Sequence, residues 1–398
     1  MSDLDRNNRL MMLALFLWAS GEGLFVFIQP IYIQQLGATP TQIGGVLALS
    51  GLGVTVAFLP GGILADRGPR KLVLLIGCVL GITGVLTLAL ARDWRGAIPG
   101  ILIYALSAVC VPAISLTIAD SAGHAPLARV LTLTYSGYWA GNIVSPWAGG
   151  WLARLTSMRT VYVVAAACFA ASTVVMLMIS IKPGQEKIRP MTRPSWASLR
   201  LGAGLGSIVF AVFLSMFIGQ PLAPNFLQNT AGWSIERIGL LGSLSALGVT
   251  FLSPALGRWS AHHKQSGLWV AQALVWCSLA LLLIGAGGRP ALVYLAFLLR
   301  SGYAACRSLT NAVIAERIPA ENRGMAFGLA ESSVASAHMV APVLAGLLYS
   351  RLPAAPIGAG LALIPIGMLI SMRLGTRPRD ASRVSPVAGS TADPQSAT

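Results

Sequence analysis

Long apolar stretches recur along the whole of this 398-residue sequence, separated by short segments that contain glycine, proline or charge. Most are about 20 residues long, which is the length of helix that crosses the hydrocarbon core of a bilayer. They lack the alternation over about ten residues that marks the strands of a transmembrane barrel. We therefore predict an all-α membrane protein with twelve transmembrane helices, at residues 10–34, 42–64, 72–91, 97–119, 131–152, 160–181, 201–228, 237–259, 268–287, 291–314, 325–349 and 354–373.

Charged residues make up 10% of the sequence and hydrophobic residues 55%. A soluble domain carries about 25% charged residues, so this chain has too few for a fully wetted surface. Its net charge of +15 does not point to nucleic acid, because the basic residues lie in the short segments between apolar stretches. The five cysteines lie inside apolar stretches without any Cys-x-x-Cys pair. We therefore expect no nucleic-acid partner, no metal and no cofactor.

The basic residues also predict how the chain is oriented. If the N-terminus lies inside the cell, 19 lysines and arginines fall on the inner side and 7 fall in outer loops. Such an excess is typical of cytoplasmic segments. We therefore place both termini in the cytoplasm and the chain in the inner (plasma) membrane as a multi-pass protein.

The two halves of the sequence resemble each other. Residues 41–55 match 236–250, residues 146–152 match 342–348, and Gln29-Pro30 matches Gln220-Pro221. Repeats with the same orientation predict two pseudo-symmetric six-helix bundles with a site between them near the midplane. The predicted organisation is an N-terminal bundle over 1–181, a cytoplasmic linker over 182–200, a C-terminal bundle over 201–373 and a disordered cytoplasmic tail over 374–398.

The loop between the second and third predicted spans carries a motif that starts at Gly62 and includes Asp66, Arg67, Arg70 and Lys71. It resembles the signature of the major facilitator superfamily, Gly-x-x-x-Asp-Arg-x-Gly-Arg-Lys, although a proline stands at the later glycine position. The resemblance covers about residues 10–373. It implies a transporter that works by alternating access.

The fifth predicted span contains a second motif, formed by Gly141, Ser145, Pro146, Gly149 and Gly150. It is similar to the antiporter pattern Gly-x-x-x-Gly-Pro-x-x-Gly-Gly, with serine replacing the glycine before the proline. The segment that follows the first span also resembles the corresponding segment of drug exporters. Together they make the chain resemble the drug:proton antiporter branch of the superfamily.

The resemblance also implies contacts for the first motif, which we regard as part of a cytoplasmic gate. In the superfamily, the aspartate of this loop meets the start of span eleven, and an arginine of the loop meets an acid that ends span four. Here Asp66 would lie near Gly324, and Arg67 or Arg70 would lie near Asp120. A carboxylate or a cation at the appropriate helix end contributes up to about 1 kcal/mol when exposed.

The second half keeps Arg258 and Glu316 at the matching places, but Ala261 replaces the aspartate. We expect Asp120 and Glu316 each to pair with a loop arginine. The alternative is that the basic residues of these loops only set the orientation of the chain.

Five acidic, basic or histidine residues lie well inside predicted spans, away from the span ends, and none recurs at the matching place in the other half: Glu22, Arg300, Arg307, Glu331 and His338. A charge at the bilayer centre costs about 2.5–3.5 kcal/mol on insertion scales and usually serves an ion or substrate path. Counting residues from the loops places three of them at one level near the midplane and two closer to the cytoplasm. We predict a midplane cluster of Glu22, Arg300 and His338 that faces the cavity, and an ion pair between Arg307 and Glu331.

These residues suit proton coupling. Burial favours the protonated form of a carboxylic acid, so Glu22 could take up and release a proton as access alternates. We assign proton coupling to Glu22, Glu331 and His338, and substrate binding or counter-charge to Arg300 and Arg307. Structural roles remain as alternatives, because a buried acid or histidine can join helices and a buried ion pair can lock them.

The predicted function is that of a secondary active transporter, with proton-coupled export of small amphipathic molecules. The alternatives are proton-linked uptake of an organic anion and a non-transporting membrane sensor or scaffold. The sequence lacks His-Glu-x-x-His, Gly-x-Ser-x-Gly and a phosphate-binding Gly-x-x-x-x-Gly-Lys loop, so we expect neither an enzyme nor an ATP-driven pump. The expected partners are a small-molecule substrate, protons and the lipid bilayer, and the chain is expected to be a monomer.

Overall fold

The structure, a computed structural model, describes residues 5–67, 69–121, 127–180, 196–260, 264–317 and 323–375. Regular structure in these ranges is helical and includes no strand, in agreement with the predicted class. A 3-10 helix over Ser107–Cys110 joins α5 to α6. The helices are α1 (Arg6–Val26), α2 (Gln29–Gln35), α3 (Pro40–Arg67), α4 (Arg70–Leu90), α5 (Trp94–Leu106), α6 (Val111–Asp120), α7 (Leu127–Leu155), α8 (Met158–Leu177), α9 (Trp196–Phe217), α10 (Ala223–Ala231), α11 (Ile235–Trp259), α12 (Lys264–Ala286), α13 (Pro290–Leu299), α14 (Gly302–Arg317), α15 (Arg323–Arg351) and α16 (Ala355–Gly375).

Nine helical segments of the described ranges are long and apolar enough to cross a bilayer, counting α5 and α6 as one segment. Helices α7, α9, α13 and α14 lie at the positions of other predicted spans. The chain therefore has the segments of a multi-pass membrane protein.

Besides the span in which the 3-10 helix joins α5 to α6, three predicted spans contain a break in the helix. Residues 27–28 separate α1 from α2, residues 218–222 separate α9 from α10, and residues 300–301 separate α13 from α14. At the first two breaks a proline stands at the start of the next helix, Pro30 in α2 and Pro224 in α10. Proline is tolerated there because the first amides of a helix have no partner within it.

The predicted linker and tail fall largely outside the described residues, which omit 181–195 and 376–398. The linker was predicted to continue to residue 200, but α9 already begins at Trp196. At the other end, α16 continues to Gly375, inside the predicted tail.

The first half, α1 to α8, meets the second half, α9 to α16, through two helix pairs. Helix α3 packs against α15, and α7 packs against α11. Glycines allow both approaches: a Cβ on Gly346 would lie 2.6 Å from the Pro40 oxygen, and a Cβ on Gly150 would lie 2.6 Å from the Ile235 oxygen. Small residues permit such close helix packing in membranes.

These contacts lie toward one end of the molecule, which carries α2 and α10 and which we call the closed end. Polar bonds also join the halves there. The amide Nδ2 of Asn225 donates to Oε1 of Gln34 over 2.6 Å, Nε2 of Gln34 donates to Oδ1 of Asn229 over 3.0 Å, and Arg154 forms an ion pair with Glu236.

The opposite end, which we call the open end, contains the other ends of the same helices. Glycines near it have free space around them. A Cβ on Gly62 of α3, Gly257 of α11 or Gly328 of α15 would meet no atom within 4 Å. Among the described residues, the glycines whose Cβ would contact the other half, such as Gly44, Gly150 and Gly346, lie toward the closed end.

Candidate functional site

A cavity of about 400 Å³ lies between the two halves, which we call the central cavity. Each half contributes residues that the repeat relates to one another, and these pairs face the same space. The central cavity therefore lies on the axis that relates the repeats, where transporters built from such repeats place their site. The repeat-related lining pairs are Gln29 and Gln220, Pro30 and Pro221, Gly51 and Ala246, and Pro146 and Pro342.

Arg300 lines the central cavity at the break between α13 and α14. Its guanidinium carbon lies 5.8 Å from the centre of the Phe27 ring and 5.6 Å from the centre of the Phe297 ring. The two rings contact each other edge to face, with centres 5.7 Å apart. Phe27 belongs to the first half, so the guanidinium bridges the two halves through a cation–π contact.

His338 of α15 also lines the central cavity. Its Nε2 lies 2.9 Å from the Tyr303 hydroxyl, and its ring meets Phe217 edge to face with centres 4.3 Å apart. The hydrogen bond and the ring contact fix the orientation of the imidazole within the second half.

Glu22 lines a different cavity, of about 330 Å³, which we call the first-half cavity. All of its lining residues belong to α1 and to α3 through α8 or the 3-10 helix between them. The Tyr138 hydroxyl donates a hydrogen bond to Oε2 of Glu22 over 2.9 Å, and Tyr104 lines the same space. Ser50 of α3 faces both cavities, so the two are neighbours.

The predicted midplane cluster is therefore divided, and its prediction as one group was wrong. Arg300 and His338 share the central cavity, whereas Glu22 faces the interior of the first half. On α1, Gly23 and Val26 face the central cavity, and Trp18 and Glu22 face the first-half cavity. Counting residues from a loop gives depth along a helix but not the direction around its axis.

The predicted ion pair between Arg307 of α14 and Glu331 of α15 is present. Nε of Arg307 also donates to Oε1 of Glu331 over 3.3 Å, and Asn311 donates to the same oxygen over 3.0 Å. Both side chains are partly exposed, by 49% and 38%. This pair joins the two helices on the side of Arg300 and His338 that lies toward the open end.

In the loop between α3 and α4, Arg70 forms the ion pair with Asp120 at the end of α6. Its Nε also donates to the Ala65 oxygen over 3.0 Å, and Lys71 donates to the Leu177 oxygen over 2.8 Å. Of the two predicted arginines, Arg70 thus pairs with Asp120, and the side chain of Arg67 lies outside the described part of the structure. Through these bonds, the start of α4 is joined to α3, α6 and α8 within the first half.

The remaining gate predictions are not tested. The side chains of Asp66, Arg67 and Glu316 and the surroundings of Gly324 lie outside the described part of the structure. Arg258 is described and is exposed at the end of α11.

The motif of the fifth predicted span is a packing surface of α7. A Cβ on Gly141 would lie 2.6 Å from the Phe16 oxygen of α1, and Ser145 donates to the Gly141 oxygen over 2.8 Å. Gly149 faces Leu24 of α1, while Gly150 faces α11 of the second half. Pro146 lines the central cavity. The motif therefore sets the approach of α7 to α1 and to α11.

We expect Gly149→Ala to destabilise the first half. The new Cβ would lie 2.6 Å from both the Cα and the carbonyl carbon of Leu24, so α1 and α7 must separate. Overpacking of this kind costs about 1–3 kcal/mol, and the measurement is the melting temperature of the purified protein. Gly204→Ala is the matched control, because its Cβ would meet nothing within 4 Å. Equal melting temperatures for the two variants would contradict the assigned packing role.

Sequence reasoning missed the polar residues of the closed end, Gln34, Asn225 and Asn229. A signal for them was present in the repeat, since Gln34 and Asn229 are 195 positions apart, the offset that relates 41–55 to 236–250. Repeat-related residues that lie close to the symmetry axis meet each other.

Comparisons with known proteins agree with this architecture. A family profile described as Major Facilitator Superfamily matches residues 11–219 and 205–397. The chain is 24% identical over 372 residues to "Quinolone resistance protein NorA" of Staphylococcus aureus, covering 89% of this chain and 93% of that protein. It is 27% identical over 236 residues to a "Putative sugar efflux transporter" of Deinococcus radiodurans, covering 56% and 60%. Its fold resembles the crystal structure of nucleoside transporter NupG, with a TM-score of 0.76 at 14% identity, covering 93% and 98%.

Proposed function

This chain belongs to the major facilitator superfamily, and from that membership we propose that it exports small amphipathic molecules in exchange for protons. Membership makes the chain a multi-pass membrane transporter of small molecules and not an enzyme. The direction of transport, the proton and the substrate class are the proposed part. Two similar proteins support export by their names, a quinolone resistance protein and a putative sugar efflux transporter.

The proposal includes the topology. The helices group into twelve spans when α1 and α2, α5 and α6, α9 and α10, and α13 and α14 are counted as broken single spans. The excess of basic residues favours cytoplasmic termini in the plasma membrane. The closed end is then extracellular and the open end cytoplasmic, and the proposal takes the chain as a monomer in an inward-open state.

The observation that carries the proposal is the central cavity on the repeat axis, with the described contacts between the halves lying toward one end. Alternating access requires a site between two bundles that can be closed at either end in turn. A sensor or scaffold has no need of such a cavity, which favours the transport function over that alternative.

Glu22 is our candidate for the residue that carries the proton. Its carboxylate accepts a hydrogen bond from a neutral tyrosine hydroxyl, and no ion pair to it occurs among the described residues. Glu331, by contrast, is paired with Arg307. An acid without a counter-charge takes up a proton more readily than one held by an arginine, which favours Glu22 over Glu331.

The proposal is tested in inside-out membrane vesicles from cells that produce the protein. With an acidic lumen, we expect the fluorescent quinolone norfloxacin to accumulate well above the level in vesicles without the protein. Nigericin, which collapses the gradient, should remove the difference. Proton-linked uptake, the alternative, would instead give accumulation in right-side-out vesicles with an acidic exterior. If the quinolone shows no gradient-dependent flux in either orientation, the proposal is wrong.

A further inference from the structure

The charge of the central cavity restricts what it can bind. Among the described residues that line it, Arg300 is the one permanently charged group, and the lining includes no carboxylate. The other polar groups are hydroxyl, amide and imidazole side chains, including those of Gln29, Gln220, Asn142 and His338. Charges interact strongly in a site with little water, so the sign of this one group matters for any ligand.

The guanidinium of Arg300 has no anionic partner in the described part of the protein. Its side chain takes part in no hydrogen bond or ion pair there, and its contacts are the rings of Phe27 and Phe297. A cation–π contact compensates part of the loss of water but uses none of the N–H donors. An arginine carries five such donors in a planar fork.

The two acids of the membrane interior cannot supply the missing partner in this state. Glu22 lies in the first-half cavity and accepts a hydrogen bond from Tyr138. Glu331 is held by Arg307 and Asn311. An arginine that lies within a membrane span without a partner is costly, so the place of Arg300 in the lining of the central cavity points to a partner from outside the chain.

We propose that Arg300 binds the anionic group of the substrate, and that the substrate class is an aromatic or apolar molecule that carries a carboxylate. This inference rests on the proposed function and specifies the substrate of its central cavity. The planar fork of arginine matches a carboxylate in a two-point hydrogen bond. Phe27 beside the guanidinium and Phe217 both line the central cavity and supply the surface for an aromatic ring.

The inference makes the cavity selective by charge. A cationic amphipath would meet the positive guanidinium with no acid nearby, and a neutral one would leave the guanidinium unpaired. A zwitterion such as a quinolone fits if its carboxylate meets Arg300. The carboxylate of Glu22 cannot offset this preference from the neighbouring cavity, because its side chain faces the first half.

Three probes that share one ring system test the inference: naphthalene-2-carboxylate, 2-naphthamide and 2-naphthylmethylamine. Binding to the purified full-length protein in detergent micelles is measured by equilibrium dialysis without any pH gradient. We expect the carboxylate to bind at least about tenfold more tightly than the amide or the amine, as a charge-assisted hydrogen bond would give. A wild-type protein that does not bind the carboxylate more tightly than the amine overturns the inference, whatever any variant does.

Variants then locate the preference. Arg300→Gln should remove the advantage of the carboxylate over the amide, whereas Arg300→Lys should keep part of it. Arg289→Gln, the same change at an exposed arginine between α12 and α13, should leave it unchanged. A carboxylate preference that survives Arg300→Gln in a folded protein overturns the assignment to Arg300. Because binding needs no gradient, these results stand apart from the proposed function: loss of gradient-driven flux with intact carboxylate preference refutes the coupling alone.

Discussion

Glu22→Gln is expected to abolish the accumulation of substrate that an imposed pH gradient drives. Glutamine has nearly the same size as the acid and can still accept the hydrogen bond from Tyr138 through its amide oxygen. It cannot take up or release a proton, so the proposed coupling step is lost while the packing of the first half is kept. Gradient-driven accumulation of norfloxacin in inside-out vesicles should fall to the level of vesicles without the protein.

The same variant should still exchange substrate across the membrane when no gradient is applied. The central cavity and Arg300 are untouched by the change, so norfloxacin that is preloaded into vesicles should exchange with external norfloxacin. A variant that loses gradient-driven accumulation of norfloxacin but keeps this exchange has lost the coupling step, and neither a loss of substrate binding nor misfolding would give that result.

Tyr138→Phe is the matched control for this prediction. It removes the hydrogen bond to Oε2 of Glu22 but leaves the carboxylate, so dependence on the gradient should persist. If Glu22→Gln concentrates substrate as the wild type does, the proton is carried elsewhere, and Glu331 and His338 become the candidates.

The pairing of two charges could be predicted from the sequence. The ion pair of Arg307 with Glu331 was expected from their common depth, and that of Asp120 with a loop arginine was expected from the family resemblance; both pairs are present. Depth is predictable because a helix rises by a fixed 1.5 Å per residue. Within a pair of neighbouring spans, equal depth and opposite charge are almost enough to predict contact.

The direction that a side chain takes around the helix axis could not be predicted. Glu22 and Gly23 are neighbours in the sequence, yet they face different cavities. In a soluble helix the polar stripe indicates which side faces out. In α1, nearly every residue after Arg9 is apolar or small, so no such stripe exists there. Which cavity receives Glu22 is decided by the packing of α1 against α7 and α8.

The repeat shows how one architecture serves two purposes. Arg300 occupies the place in the second half that Tyr104 occupies in the first. Tyr104 lines the first-half cavity beside Glu22, whereas Arg300 lines the central cavity. The first half thus carries the proposed proton site in a cavity of its own, and the second half carries the proposed substrate site. Ser50 faces both cavities and marks where the two sites are closest.

Gly44→Ala is expected to abolish transport without unfolding either half. Gly44 lies on α3 against α15, where a new Cβ would collide with the Pro342 oxygen and lie 3.0 Å from the Pro342 carbonyl carbon. These atoms are backbone, so the contact can be relieved only by moving the two helices apart. Since α3 and α15 belong to different halves, the variant should disfavour the state in which the closed end is shut.

Two measurements test the prediction for Gly44→Ala. Gradient-driven accumulation of norfloxacin should fall to the level of vesicles without the protein. Hydrogen–deuterium exchange at the amides of α2 and α10, which lie at the closed end, should become faster. Exchange in α4 and α8, which pack against each other within the first half, should stay at the wild-type rate.

Gly45→Ala is the control, one residue further along the same helix. A Cβ at Gly45 would meet no atom within 4 Å, and alanine favours a helix over glycine by about 1 kcal/mol. This variant should transport as the wild type does and be at least as stable. Because the two changes are chemically identical, only the contact with α15 distinguishes them. Normal transport by Gly44→Ala would show that closure of this end through α3 and α15 is not a step of the cycle.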